Sequence, residues 1–409
     1  MHRRAFLQAL GLAAGELLLP LGRGAWARLE ARPGPRLVVV LLRGAVDGLS
    51  VVVPWRDAHY AAARPGIGLA APGEANGVLP LDATFGLHPA LAPLLPAWQG
   101  GRLAFVHACG DPAGGRSHFE AQAAMEAGTP GRAAVDDGWL GRLAAQLGHE
   151  AVALDATLPQ VLRGGPPAQV VPPGRGATTP IAIDRPGVQT AFDRLYRGDD
   201  PLSRAYRQGR TQREALLADL AGLEAEAVAA DGGARSAAGL ARDAATLARL
   251  LVRHPSLRLA FLPVGGWDTH VGQGGARGQL ATRLGQLAEG LVALEQGLGA
   301  EAEQAVIVVM SEFGRTVAEN GNGGTDHGHG NVVWLLGAGV AGGRVHGRWP
   351  GLAPEARFEG RDLAVTTDWR QVIAAVLGAG WGLTPAQLGR VMPGLGPSAG
   401  TGLPGLMRQ

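Results

Sequence analysis

The chain has 409 residues, 46% hydrophobic and 18% charged, and all 37 of its Lys/Arg positions are arginine. The absence of lysine excludes a Walker-A phosphate loop, a Schiff-base lysine and a lysine general base. The single cysteine, Cys109, excludes a disulfide framework and any multi-cysteine metal or cluster site.

The chain opens His2-Arg3-Arg4-Ala5-Phe6-Leu7, runs apolar through Leu21 and reaches Ala25-Trp26-Ala27. Residues 1–27 therefore read as a twin-arginine-type signal peptide, an address for the twin-arginine export machinery. Glu16 and Pro20 interrupt the apolar stretch, which falls short of the roughly 20 residues that span a bilayer. Cleavage after Ala27 removes Arg3, Arg4, Arg23 and Glu16, that is 3 − 1 = +2, the whole formal net charge of +2. The mature protein is then expected to be neutral and periplasmic or secreted. It has no stable membrane anchor after signal cleavage and no basic footprint for nucleic acid.

Downstream, Arg36–Arg43, Leu103–His107, Leu257–Val264, Ala305–Met310 and Val332–Leu336 are continuous apolar runs, the pattern of strands buried on both faces. Helical patterns at His88–Trp98, Ser117–Ala127, Gly278–Leu298 and Asp368–Leu377 alternate with them. This order predicts an α/β fold: a mostly parallel central sheet with helices on both faces, in a single domain over 28–393. Residues 201–253 read as a helical insertion or side layer. Pro159–Pro186 reads as loop and 394–409 as a Gly/Pro-rich tail.

Ligands in open α/β sheets bind at the carboxyl ends of strands. The runs here are followed by Asp47, by Arg116-Ser117-His118, by Trp267-Asp268-Thr269-His270 and by Ser311-Glu312-Phe313-Gly314-Arg315, with Asp326-His327-Gly328-His329 shortly beyond. Carboxylates and imidazoles without thiolates suit Zn²⁺, Mn²⁺ or Mg²⁺, and this set is large enough for two divalent ions roughly 4 Å apart. Ser117 at a helix start faces the positive end of the helix dipole, which favours an alkoxide or a bound anion, although an N-cap needs nothing more. Arg116 and Arg315 could fork onto a small anionic ester substrate or pair with internal carboxylates.

Taken together, Arg43-Gly44-Ala45-Val46-Asp47-Gly48-Leu49, Gly86-Leu87-His88-Pro89, Arg116-Ser117-His118-Phe119, Trp267-Asp268-Thr269-His270, Ser311-Glu312-Phe313-Gly314-Arg315-Thr316 and Gly324-Thr325-Asp326-His327-Gly328 resemble an exported bacterial family, domain of unknown function 1501. Its fold is similar to the alkaline phosphatase superfamily, which includes sulfatases. The resemblance implies Asp47 as a metal ligand, Ser117 as the nucleophile, and Asp268 with His270 as ligands of one ion. The chain departs from that pattern where Glu312-Phe313 stands in place of an Asp-His pair. Either Glu312 substitutes and His327 or His329 serves the other ion, or Asp326-His327 is the displaced pair and His346 the final ligand. The expected activity is metal-dependent hydrolysis of a phosphate or sulfate ester through a Ser nucleophile. The alternative is a catalytically inactive exported binding or scaffold protein on the same fold.

Overall fold

The computed structural model describes residues 34–129, 135–171, 186–211, 214, 239–396 and 403–408. The expected signal peptide lies outside these residues, as do 172–185 of the expected loop, 212–213 and 215–238 of the expected side layer, and 397–402 and 409 of the expected tail. Among the described residues no helix is long and apolar enough to cross a membrane.

One sheet carries nine strands. In chain order they are β1 (Arg36–Leu42), β2 (Leu103–Gly110), β3 (Glu150–Ala153), β4 (Gln169–Val170), β5 (Leu257–Val264), β6 (Ala305–Met310), β7 (Asn331–Leu336), β8 (Arg344–His346) and β9 (Thr367–Asp368). Their order in space is β8-β2-β7-β6-β1-β5-β3-β4, with β9 also paired to β2. β7 runs antiparallel to β2 and β6, and every other pairing is parallel. The expected mixed α/β class with a largely parallel sheet is thus what the chain forms.

β1 shows why its sequence alternates so little. Val38, Val40 and Leu42 enter one hydrophobic core and Leu37, Val39 and Leu41 the other, so both faces of the pleat need apolar side chains. The principal helices are α1 (His118–Ala127), α2 (Trp139–Leu147), α3 (Gly239–Arg253), α4 (Gln279–Leu298) and α5 (Trp369–Trp381). α4 turns Leu280, Leu284, Leu287, Leu291 and Leu294 into the first core, together with Leu247, Leu250 and Leu251 of α3. The second core receives Leu140 and Leu143 of α2 and Val372, Ile373, Val376 and Leu377 of α5. Burying each such side chain contributes about 1.5–3 kcal/mol, so a one-residue rotation of α4 would forfeit several of these contributions together.

Three expectations need correction. The segment expected as one helix over His88–Trp98 is a 3₁₀ turn, Pro89–Leu94, followed by a short α-helix, Leu95–Gln99. Pro93 lies inside that turn and Pro96 starts the helix, and neither has an N–H for a continuous α ladder. The Pro159–Pro186 loop contains a 3₁₀ turn, Gln160–Leu162, and the edge strand β4. The described part of the tail is docked: Leu406 is buried, its carbonyl accepts from Ala341 N at 2.9 Å, and Met407 bridges Val340.

Because β7 is reversed, the loop entering it reaches the same sheet edge as the loops leaving β1, β2, β5 and β6. That edge collects every segment on which the sequence placed chemistry.

Candidate metal centre

The loops at this edge lie backbone against backbone. Gly44 has φ +112°, and a Cβ there would sit 2.6 Å from the Asp268 amide nitrogen. At Gly324 a Cβ would sit 2.4 Å from the His270 carbonyl oxygen. Arg315 braces the edge with a fully buried side chain. It donates to the carbonyls of Ala45 (2.6 Å), Gly44 (2.5 Å), Thr325 (3.0 Å) and Trp267 (3.2 Å), and to Asp268 Oδ1 (2.6 Å). Ser311 Oγ accepts from Val46 N at 3.2 Å, and Asn331 Nδ2 donates to Val46 O and Phe313 O.

Three imidazoles converge on the Asp268 carboxylate. His118 Nε2 lies 3.0 Å from His327 Nε2, which lies 2.9 Å from His270 Nε2. Asp268 Oδ1 is 2.9 Å from His270 Nε2 and 3.3 Å from His327 Nε2, and its Oδ2 is 3.6 Å from His118 Nε2. The outer nitrogens decide the tautomers. His118 Nδ1 faces Glu312 Oε1 at 2.7 Å, His270 Nδ1 faces Asp326 Oδ1 at 3.2 Å, and His327 Nδ1 faces the Arg116 carbonyl at 2.9 Å. Each of these partners can only accept, so each Nδ1 carries a proton, and in its neutral form each ring turns an Nε2 lone pair inward. Lone pairs and a carboxylate facing one another at about 3 Å repel unless a cation or a shared proton lies among them. Among the described residues, the ligand atoms of His118, His327 and Asp268 lie close enough together to share one divalent ion, and His270 Nε2 stands beside them, 2.9 Å from His327 Nε2 and 3.5 Å from Arg315 Nη1. Asp268 is 45% exposed, which leaves one side open to solvent.

Residues 35–393 match the family described as Protein of unknown function (DUF1501). The chain belongs to the DUF1501 family. No curated protein matches it. Among solved structures it is similar to "Crystal structure of Ps i-CgsB in complex with k-i-k-neocarrahexaose", at 10% sequence identity and a TM-score of 0.36, covering 87% of this chain and 74% of that one. Likeness of that degree transfers no chemistry, and the DUF1501 site stands on its own atoms.

The other expected site residues of this DUF1501 chain fall into distinct places. Glu312 and Asp326 hold imidazoles from behind instead of facing the centre. Glu312 also accepts from Gly44 N and Gln122 Nε2, both at 2.8 Å, and Asp326 accepts from Asn320 Nδ2 at 3.0 Å. Asp47 stands apart, with its carboxylate taken by Arg64, Ser50 and Gln273. His329 stacks on Phe358 with centroids 4.1 Å apart, and His346 Nε2 pairs with the Ala341 carbonyl. Neither ring reaches the cluster. Arg116 is committed to Asp362 and Glu359, and the buried Arg315 to Asp268 and the backbone, since a buried guanidinium needs fixed acceptors. Ser117 occupies the N-cap of α1 without making a side-chain cap bond. His118, the residue the sequence reading left out of the ligand set, is central. Its signal was present: it opens a helix at the same sheet edge as the other histidines.

Electrostatics follow the same division. The Glu312 hydrogen bond lifts His118 above the ordinary imidazole range, while burial pushes His327 below it. Burial alone would raise the Asp268 carboxyl, but the Arg315 hydrogen bond and charge hold it below the usual carboxylate range. For Glu312, burial is likewise outweighed by the bonds from His118 and Gln122. Both carboxylates are therefore anionic at neutral pH. A half-open cavity of 390 Å³, lined by Asp111, Gly114, Gly115, Glu120, Ala121 and Glu312 among others, adjoins the start of α1.

Proposed function

We propose that this protein is an exported, divalent-metal-dependent hydrolase of a phosphate or sulfate ester, on an alkaline phosphatase-like variant of the α/β fold. The observation that carries the reading is the inward turn of three Nε2 lone pairs onto Asp268 beside the helix start that bears Ser117. When bound, a divalent ion would supply Lewis acidity toward an ester oxygen and screen its charge.

The chain's own residues supply the rest. Ser117 stands between Arg116, whose carbonyl fixes His327, and His118. Its hydroxyl makes no cap bond and is available as the attacking oxygen. The first amides of α1 have no intrahelical acceptor and point their N–H groups toward the helix start, where they can receive the ester's non-bridging oxygens. In this reading Arg116 and Arg315 brace the site through internal carboxylates, the second of the two roles expected of them. The neighbouring cavity shows acidic side chains and no arginine, so the leaving group it suits bears hydroxyls or positive charge. Export by the twin-arginine route to the periplasm or beyond belongs to the same proposal and rests on residues 1–27.

The commitment of both arginines also favours a second reading, a binding protein on the same fold that has lost hydrolysis. A panel of phosphate and sulfate esters, offered to the full chain with Zn²⁺, Mn²⁺ or Mg²⁺, separates the two. The hydrolase reading expects turnover that Ser117→Ala lowers by several orders of magnitude. Bound metal without turnover of any ester would sustain the second reading.

A further inference from the structure

Asp47 and Arg64 form a fully buried pair, with both side chains at 0% exposure. The Asp47 carboxylate accepts from Arg64 Nη1 (2.5 Å) and Nη2 (3.0 Å), Ser50 Oγ (2.7 Å) and Gln273 Nε2 (2.7 Å). Three of these donors meet Oδ2 and one meets Oδ1, so both carboxylate oxygens are engaged. The guanidinium is complete. Its Nε donates to Val317 O (2.9 Å), Nη1 also to Ser50 Oγ (3.0 Å), and Nη2 also to Thr316 O (2.9 Å). Five donors have five acceptors, the full capacity of an arginine.

We propose that Arg64 is a built-in cation that takes the place of a second metal ion at Asp47, so that the site is mononuclear. The inference rests on the metal-dependent reading above and corrects its two-ion expectation. A divalent ion at Asp47 would have to displace a guanidinium that has no solvent to move into. Leaving both cations in place would set like charges side by side in a dry interior. The substitution does more than neutralise charge. Gln273, which donates to Asp47, accepts from Thr269 Oγ1 at 2.7 Å and Thr325 Oγ1 at 3.0 Å. Thr269 lies between Asp268 and His270, and Thr325 precedes Asp326-His327. The Arg64–Asp47–Gln273 chain thus positions both ligand loops without contributing a ligand.

Crystals of the full chain grown with zinc, measured at the zinc edge and paired with elemental analysis in solution, test this directly. The expected result is one ion per chain and one anomalous peak among His118, Asp268 and His327. A second peak at Asp47, or two ions per chain, overturns the inference and leaves the metal reading standing. No ion at all overturns the metal reading itself. Asp268→Asn is expected to hold no ion, and an Asp268→Asn chain that keeps its ion overturns the metal reading.

Discussion

Glu312 makes no inward contact with the centre, yet it governs one of the imidazoles there, lifting His118 above the ordinary range. It fixes the His118 tautomer at 2.7 Å and takes a second donor from the Gly44 amide, coupling a ligand to the first strand-end loop. Partners behind metal-binding imidazoles are worth about 10–100-fold in affinity when removed. Glu312→Gln is therefore expected to weaken ion binding by that factor, read by calorimetric titration, while the circular dichroism spectrum stays unchanged. Loss of affinity no larger than that of a surface Glu→Gln control would contradict the role. At the same scale, His107 is a buried imidazole of a different kind. Its Nδ1 accepts from Ala108 N and its Nε2 donates to Val52 O, and burial drives its pKa down to about 4.

The sheet-edge loops form the next scale, and glycine sets their spacing. Gly44→Ala forces an L-residue to φ +112° and drives a Cβ toward the Asp268 amide. The loop must retreat, so the variant is expected to lose about tenfold or more in ion affinity and about 1–3 kcal/mol in stability from local strain. Denaturant unfolding alongside titration measures both. Wild-type behaviour in both would show that the loops have slack.

The elements were largely legible in the sequence because the β1, β2, β5, β6 and β7 strands bury both faces and so write themselves as unbroken apolar runs. Direction leaves no such trace, and the reversal of β7 is invisible in Val332–Leu336. β3 and β4 were missed because short strands near the sheet edge carry too few residues to show a period. Among site residues, Asp268, His270 and His327 were legible as polar groups following buried strands. Asp47 carried the same signal, but its fate is decided by Arg64, seventeen positions on at the end of a short helix, Ala58–Ala63. No local pattern announces that pairing. His118 was overshadowed by the serine beside it.

At the scale of the whole molecule, acid should unfold this chain earlier than its carboxylates alone require. His107 binds a proton in the unfolded state below about pH 6.5 and in the folded state only below about 4. Between those values the unfolded chain holds more protons, so stability falls as pH falls through the window. Over the full window the loss is about 3 kcal/mol at 1.36 kcal/mol per pKa unit. Chemical denaturation at pH 7 and pH 5 should show a steeper decline for the wild type than for His107→Gln, and parallel declines would count against it.

A divalent cation is expected among His118, His327 and Asp268. An ion that binds only the folded state stabilises it by about 2.7 kcal/mol at a hundred times its Kd. The most direct measurement is calorimetric titration of the metal-stripped full chain with Zn²⁺, beside Asp268→Asn. The account predicts stoichiometric binding to the wild type and none to the variant. A wild type that takes up no ion, or a variant that binds as well as the wild type, would contradict it.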